Sequence, residues 1–246
     1  MNKLGLLGKN ISYSFSKSYF KDKFENEQID NVSYENFDIE TIELFPSLIK
    51  NTKNLKGLNV TIPYKESVIP FLDELDDKAK EIGAVNTIRI TKKNKLIGYN
   101  TDYYGFKKSL TPFLKNHHKQ ALILGTGGAS KAIAYSLKQL NIKYCFVSRT
   151  AKKGVEFTYN TLTKDVINQH QIIINCTPLG TSPNVDLYPD IPYDTITSDH
   201  ILYDLIYNPG ETKFLKQGKQ QNATTINGLN MLKFQAEKAW SIWKID

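Results

Sequence analysis

The sequence predicts an α/β protein of two domains, and three observations predict it. Apolar runs of strand length alternate along the chain with segments whose apolar residues recur at helical spacing. One stretch, from Ala121 to Thr150, joins strand, glycine-rich turn, helix and second strand in a single βαβ unit. The length, 246 residues, suits either one large domain or two of about 100 to 150 residues each.

Taken in order, Leu4 to Gly8 reads as a strand because its apolar run is short and glycine-bounded. An amphipathic helix follows, with Tyr19, Phe20 and Phe24 on one face, then an alternating strand from Val32 to Phe37 and helical spacing from Ile42 to Ile49. The next strand, in Gly57 to Lys65, is cut off by Pro63, so Asn59, Thr61 and Lys65 emerge where it ends. Ligands of open α/β sheets bind beyond the carboxyl ends of strands, which places those three side chains for a site. Gly83 to Thr87 repeats the arrangement with Asn86 and leads into the strand Thr87 to Ile90. Lys92 to Lys95 is a hairpin turn, and the return strand ends in Asn100-Thr101-Asp102. A helix from Asp102 to Leu114 leads on to the glycine-rich domain, with Thr101 or Asp102 as its cap. Three segments ending in Asn or Thr plus a charge suggest a polar pocket.

In the βαβ unit the apolar run Ala121 to Leu124 breaks at Gly125-Thr126-Gly127-Gly128-Ala129-Ser130 and continues as a helix from Ala132 to Leu140. Gly125 lets the chain leave the strand tightly, and Gly127 lets a backbone approach a pyrophosphate. Gly128 and Ala129 keep the helix start slim where free N–H groups and the positive dipole end meet phosphate. Such a turn is a weak signal alone, but its place between a strand and a helix fits a Rossmann-like domain. The second strand, Tyr144 to Val147, ends in Ser148-Arg149-Thr150, followed by Lys152 and Lys153, where an NAD site usually has an acid. A guanidinium can hold a 2′-phosphate with two charge-assisted bonds, so NADP(H) is the expected cofactor. Arg149 is one of two arginines, with Arg89, among 32 Lys and Arg.

Further strands are expected at Ile172 to Cys176 and Leu202 to Tyr207, a lysine-rich helix at Glu211 to Lys219, and a helix from Gly228 with Leu232, Ala236, Ala239, Trp240 and Trp243 on one face. The net charge of +7 has its lysines scattered, with no basic-aromatic module, so nucleic acid is not expected as a partner. No stretch is long and apolar enough for a membrane span or a signal segment, and a cytoplasmic protein is expected. Cys145 and Cys176 lie in apolar runs, as reduced buried residues do, and His117 and His118 lie in a polar loop where solvation is expected. No metal is implied.

A series of motifs then runs nearly end to end. Ser14-x-Ser16, Gly57-x-Asn-Val-Thr-x-Pro-x-Lys65, Gly83-Ala-Val-Asn-Thr87, Asn100-Thr-Asp102, the glycine turn, Asn175-Cys-Thr-Pro-Leu-Gly180, Asp204 to Pro209, Asn227-Gly-Leu229 and Gln235-Ala236 stand in this order. The chain resembles the shikimate dehydrogenase family. The resemblance implies an N-terminal α/β substrate domain, 1–101, and a Rossmann-like NADP-binding domain, 102–227, with a cleft between them and a C-terminal helix, 228–246, returning to the first. It implies reversible NADPH-dependent reduction of 3-dehydroshikimate to shikimate, in aromatic amino-acid biosynthesis, by a monomer or homodimer.

Site roles follow from that resemblance. Lys65 and Asp102 are the catalytic pair; Ser14, Ser16 and Tyr207 meet the substrate carboxylate; Asn59, Thr61, Asn86 and Gln235 read ring hydroxyls. Cofactor contacts are Gly125, Thr126, Gly127, Gly128, Ala129, Ser148, Arg149, Thr150, Lys153, Thr177 and Gly228. Tyr13, Lys17 and Ser148 stand where the family commonly has histidine, proline and asparagine. A quinate/shikimate dehydrogenase using NAD, or a non-catalytic sensor on the same fold, remain the alternatives, disfavoured by Arg149 and by retention of both Lys65 and Asp102.

Overall fold

A computed structural model describes residues 1–11 and 15–243. The chain divides into two units, Met1–Thr101 with Ala236–Asp246, and Asp102–Gln235. Each is built on its own six-stranded sheet.

The first unit runs β1 (Asn2–Gly8), α1 (Phe15–Asn26), β2 (Val32–Asp38), α2 (Phe45–Asn51), β3 (Leu55–Val60), α3 (Tyr64–Ser67), β4 (Glu74–Leu75), α4 (Asp77–Ile82), β5 (Thr87–Ile90) and β6 (Leu96–Tyr99). The sheet order is β2-β1-β3-β5-β6-β4. The crossovers from β1 to β2 and β2 to β3 give parallel pairs, and the turn at Lys92–Lys95 makes β5 and β6 antiparallel. Helical spacing from Ile42 does not give one helix. A 3₁₀ turn, Ile42–Leu44, precedes α2, because Pro46 lacks an N–H and fits only a first helical turn.

Two apolar layers cover this sheet. Leu4, Leu6 and Tyr34 face Phe20 and Phe24 of α1, while Leu7, Leu58, Val60 and Ile88 face Phe45, Tyr64 and Ala79.

The second unit runs α5 (Asp102–Leu110), β7 (Gln120–Leu124), α6 (Gly128–Gln139), β8 (Lys143–Ser148), β9 (Phe157–Thr158), α7 (Lys164–Gln169), β10 (Ile172–Asn175), β11 (Ile201–Asp204), α8 (Lys213–Gln220), β12 (Thr224–Ile226) and α9 (Leu229–Trp243). Its sheet, β12-β11-β10-β7-β8-β9, is parallel throughout. The period of two along each strand divides its side chains between two cores. Ala121, Ile123, Ile172, Ile174 and Tyr203 pack with α5, α6 and Met231; Leu122, Leu124, Ile173 and Leu202 pack with Ile167 of α7 and Phe214 and Leu215 of α8. Covered on both faces, β7 and β10 carry unbroken apolar runs, Ala121 to Leu124 and Ile172 to Ile174, rather than alternating, and β10 ends in the buried polar Asn175.

Helix α5 stops at Leu110 rather than reaching Leu114, because Pro112 disfavours α geometry before it, and Thr111–Phe113 forms a 3₁₀ turn. Strand β11 stops at Asp204 instead of Tyr207, because the Asp204 carboxylate takes the Ile206 N–H, removing it from the ladder. Helix α8 begins at Lys213, capped by the Thr212 hydroxyl, which accepts from Leu215 N.

The expectation of a solvated His118 is corrected. The ring is buried: Nδ1 accepts from Lys115 N at 2.8 Å, Nε2 lies 3.0 Å from Asp199 O, and burial lowers its pKa. His117 beside it is exposed.

Helix α9 contributes to both units, residues 229–235 to the second and Ala236 onwards to the first. Ala236, Ala239 and Trp243 join the core around α1. The indole Nε1 of Trp243 donates to Ile88 O at 3.0 Å, and a Cβ at Gly57 of β3 would collide with that indole. Glycine at 57 therefore makes the seat for the tryptophan.

Candidate functional site

In the second unit the chain winds outward from β7 to β8 and β9, then returns to β10 on the other side of β7. Loops leaving β7 and β10 therefore diverge, the arrangement that leaves a ligand crevice in doubly wound sheets. Gly125 sits in that turn at φ +102°, a left-handed conformation that favours glycine. A Cβ there would also stand 3.1 Å from Thr177 Cγ2 and 3.3 Å from the Cys176 carbonyl. Gly127 caps α6 without a side chain, and nothing lies within 4 Å of where its Cβ would be. Gly128 and Ala129 open the helix, and Ser130 turns its hydroxyl inward to Gly127 O at 2.7 Å. The first N–H groups of α6 thus lie under open space, a cradle that fits a phosphate group.

Beyond β8, Arg149, Thr150 and Lys153 are exposed, and Thr150 N lies 3.4 Å from Ser148 Oγ. Lys152, passed over in the sequence in favour of Lys153, reaches back to the glycine turn, its Nζ donating to Thr126 Oγ1 at 2.6 Å. No periodicity could have revealed this, since it depends on how the loop folds over the turn. Burial pushes the nearby Tyr159 phenol up to about 12, while the Arg149 charge pulls it down.

On the other side of β7, Thr177 is half-buried and tied to Asn175 Oδ1 through both its N (3.0 Å) and its hydroxyl (2.7 Å). Asn175 Nδ2 donates to Asp204 Oδ1 at 3.1 Å, and Asp204 Oδ2 accepts from Thr212 at 2.6 Å. Asp204 is fully buried, and desolvation raises its pKa from 3.8 to about 6 against the pull of its three donors. Gly228 starts α9 so close to the loop after β11 that a Cβ would strike Leu205 O; its N–H donates to Ile206 O at 3.0 Å. Tyr207, in that loop, is half-buried, and burial raises its pKa. Gln235 is buried on α9, where its Cβ lies 3.1 Å from the Cβ position of Gly105 in α5. Asp102 is buried at the first position of α5.

In the first unit Asn59 and Asn86 lie in one buried hydrogen-bond network. Burial raises the pKa of the Tyr34 phenol, and Ser16 beside it pulls the other way. That phenol donates to Asn59 Oδ1 at 2.8 Å, and Asn59 Nδ2 donates to Thr87 Oγ1 at 3.2 Å and Asn86 O at 3.3 Å. Asn86 Oδ1 accepts from Thr101 N at 2.6 Å, and its Nδ2 donates to Thr101 Oγ1 at 3.0 Å. Tyr34 was not singled out in the sequence. Its signal was faint: an inward aromatic on an alternating strand whose polar tip must find a partner.

Thr61 is half-buried after β3, its N donating to Leu7 O at 2.9 Å. Lys65 is half-buried on α3, and its carbonyl accepts from Val85 N at 2.7 Å. Lys65 and Thr101 are therefore both anchored to the short segment 85–86. Ser14 lies outside the described residues. Among the described residues no group of three His, Cys, Asp or Glu side chains is placed to hold a metal, and both cysteines are free thiols.

These features define a class: an α/β protein of two units, one with a mixed sheet carrying a buried Asn/Thr network, the other a Rossmann-like parallel sheet with a phosphate cradle at its switch point. Residues 6–88 match the family model of the shikimate dehydrogenase substrate binding domain. The chain is 39% identical to the shikimate dehydrogenase (NADP(+)) of Methanosphaera stadtmanae, over 97% of this chain and 90% of that protein. Among solved structures it is similar to shikimate dehydrogenase 1 of Peptoclostridium difficile, at 40% identity and TM-score 0.85, over 100% of this chain and 94% of that one. It is also similar to the Thermus thermophilus enzyme in complex with NADP(H) and shikimate, at 27% identity and TM-score 0.88, over 99% and 94%. The chain belongs to the shikimate dehydrogenase family.

Proposed function

We propose that this protein catalyses the reversible reduction of 3-dehydroshikimate to shikimate with NADPH. Family membership supports the substrate. The observation that carries the cofactor reading is the glycine turn at the switch point, open above Gly127, with Arg149 and no acid at the end of β8. When bound, NADPH supplies the hydride.

The residues of this chain do the rest. The N–H groups at the start of α6, with Gly125, Thr126, Gly127, Gly128 and Ala129, hold the pyrophosphate. Arg149, with Ser148, Thr150 and Lys153, holds the 2′-phosphate. Thr177 and Gly228 line the remaining part of the crevice. Reduction of a ketone requires a proton at the carbonyl oxygen, and the Lys65 ammonium delivers it. In the oxidative direction neutral Lys65 removes it. Asp102 accepts a hydrogen bond from a substrate hydroxyl. Ser14 and Ser16 donate to the carboxylate with Tyr207, and Thr61, Asn86 and Gln235 read ring hydroxyls. Asn59 has used both amide protons and one carbonyl lone pair inside the unit, so it offers one further acceptor position.

The test is an assay of purified protein following reduced nicotinamide absorbance, with shikimate or quinate against NADP⁺ or NAD⁺. The expected result is turnover largely confined to shikimate with NADP⁺. Equal or better turnover of quinate with NAD⁺ would overturn the reading.

A further inference from the structure

At the end of β10 a hydroxyl has had its proton committed by groups lying deeper in the second unit. Thr177 O–H and N–H both point at Asn175 Oδ1. The orientation of that amide is set from behind. Asn175 Nδ2 donates to Asp204 Oδ1, at 3.1 Å, and to Leu179 O, at 3.3 Å. An ionised carboxylate can only accept, so the amide nitrogen must face Asp204 and the amide oxygen must face Thr177. Asp204 is itself held by the Thr212 hydroxyl and the Ile206 N–H. Asn175, Asp204 and Thr212 are all buried, and Thr177 is the half-buried end of the chain.

With its proton spent on Asn175, the Thr177 oxygen keeps two acceptor positions. Leu179 N–H takes one at 3.3 Å. The other can only receive a hydrogen bond. Topology says which part of a dinucleotide it would meet. Arg149 follows β8 and Thr177 follows β10, on opposite sides of β7, whose turn makes the phosphate cradle. If the 2′-phosphate end lies at Arg149 and the pyrophosphate at the cradle, the nicotinamide half falls to the β10 side.

We propose that Asp204 and Asn175 are positioning residues that fix the Thr177 hydroxyl as a hydrogen-bond acceptor for a donor on the nicotinamide half, either a ribose hydroxyl or the carboxamide N–H. The inference rests on the cofactor reading above. It makes Thr177 a residue that reads the nicotinamide end rather than a phosphate contact, because phosphate oxygens offer no proton.

Equilibrium binding to the purified full chain tests it with three probes: NADPH, the 3-acetylpyridine analogue of NADPH, which lacks the carboxamide N–H, and 2′,5′-ADP, which lacks the nicotinamide half. Thr177→Val should weaken NADPH by about five- to tenfold, the scale of one hydrogen bond, and leave 2′,5′-ADP unchanged. Thr177→Ser should bind like the parent. Asp204→Ala should weaken NADPH by less than Thr177→Val and add little to it in the double variant. Asp204→Asn should restore binding, because its carbonyl can take the Asn175 contact and its amide can donate to Thr212.

A loss for both NADPH and the analogue assigns the ribose hydroxyl; a loss for NADPH alone assigns the carboxamide. Undiminished NADPH binding by Thr177→Val, or an equal loss of 2′,5′-ADP, overturns the proposal. Should Asp204→Ala fail to fold, the two Thr177 variants still decide it. Failure of the parent chain to bind either NADPH or 2′,5′-ADP would instead defeat the cofactor reading itself, a separately visible result.

Discussion

Lys65 and Arg149 show how differently single cations can be spent on one chain. Lys65 is one of many lysines, set apart by its place after Pro63 at the end of β3 and by the backbone bond that ties α3 to residue 85. If it carries the proton, Lys65→Ala should lower kcat by roughly 10² to 10⁴ while NADPH affinity stays the same. Stopped-flow turnover and a binding titration check both halves, and unchanged kcat removes Lys65 from the chemistry. Arg149 is exposed beyond β8, and the segment from Ser148 to Gly154 around it contains no acidic residue. Arg149→Ala should cost NADPH about 1.5 to 3 kcal/mol of binding and NADH almost nothing. Equal losses for the two cofactors would refute a 2′-phosphate contact.

At the scale of elements, α9 carries an unusual load. Its start is pinned by Gly228 against the loop after β11, and its end places Trp243 over Gly57, against Phe20 and Tyr34. Tyr34 in turn holds Asn59, so the tryptophan supports the first unit's polar network from below. Trp243→Ala should destabilise by about 3 to 5 kcal/mol, since it removes a buried aromatic and leaves Ile88 O without its donor. Urea unfolding followed by circular dichroism measures this, and a loss under about 1 kcal/mol would show that α9 docks without it.

For the molecule as a whole, pH acts on stability through Asp204. The folded carboxyl titrates at about 6 and the unfolded one near 3.8, so between those values the native chain holds a proton that the unfolded chain has lost. Stability contributed by this group is therefore full below about 3.8 and is lost as pH rises through about 6, a change on the order of 3 kcal/mol. That is a sizeable share of a typical unfolding free energy of about 5 to 15 kcal/mol. Unfolding the parent and Asp204→Asn across that range should show the asparagine variant lacking this decline. Parallel pH profiles would mean that the carboxyl is not perturbed.

The longer strands and helices, the glycine turn, Arg149 and the Asn/Thr motifs were legible from the sequence because each rests on local chemistry: periodicity, the backbone freedom of Gly125, the charge of a guanidinium. The short elements α3, β4, α4, β9, α7 and β12 were not, because segments of two to six residues carry too little periodicity. Element ends were less legible wherever Pro46, Pro112 or the Asp204 side chain overrode spacing. The tertiary structure alone decided that Tyr34 holds Asn59, that Lys152 folds onto Thr126, that His118 is buried, and that Asp204 orients Thr177 through Asn175. Hydrogen bonds between residues far apart in the chain follow from packing, and packing is a property of three dimensions that no spacing along one of them can encode.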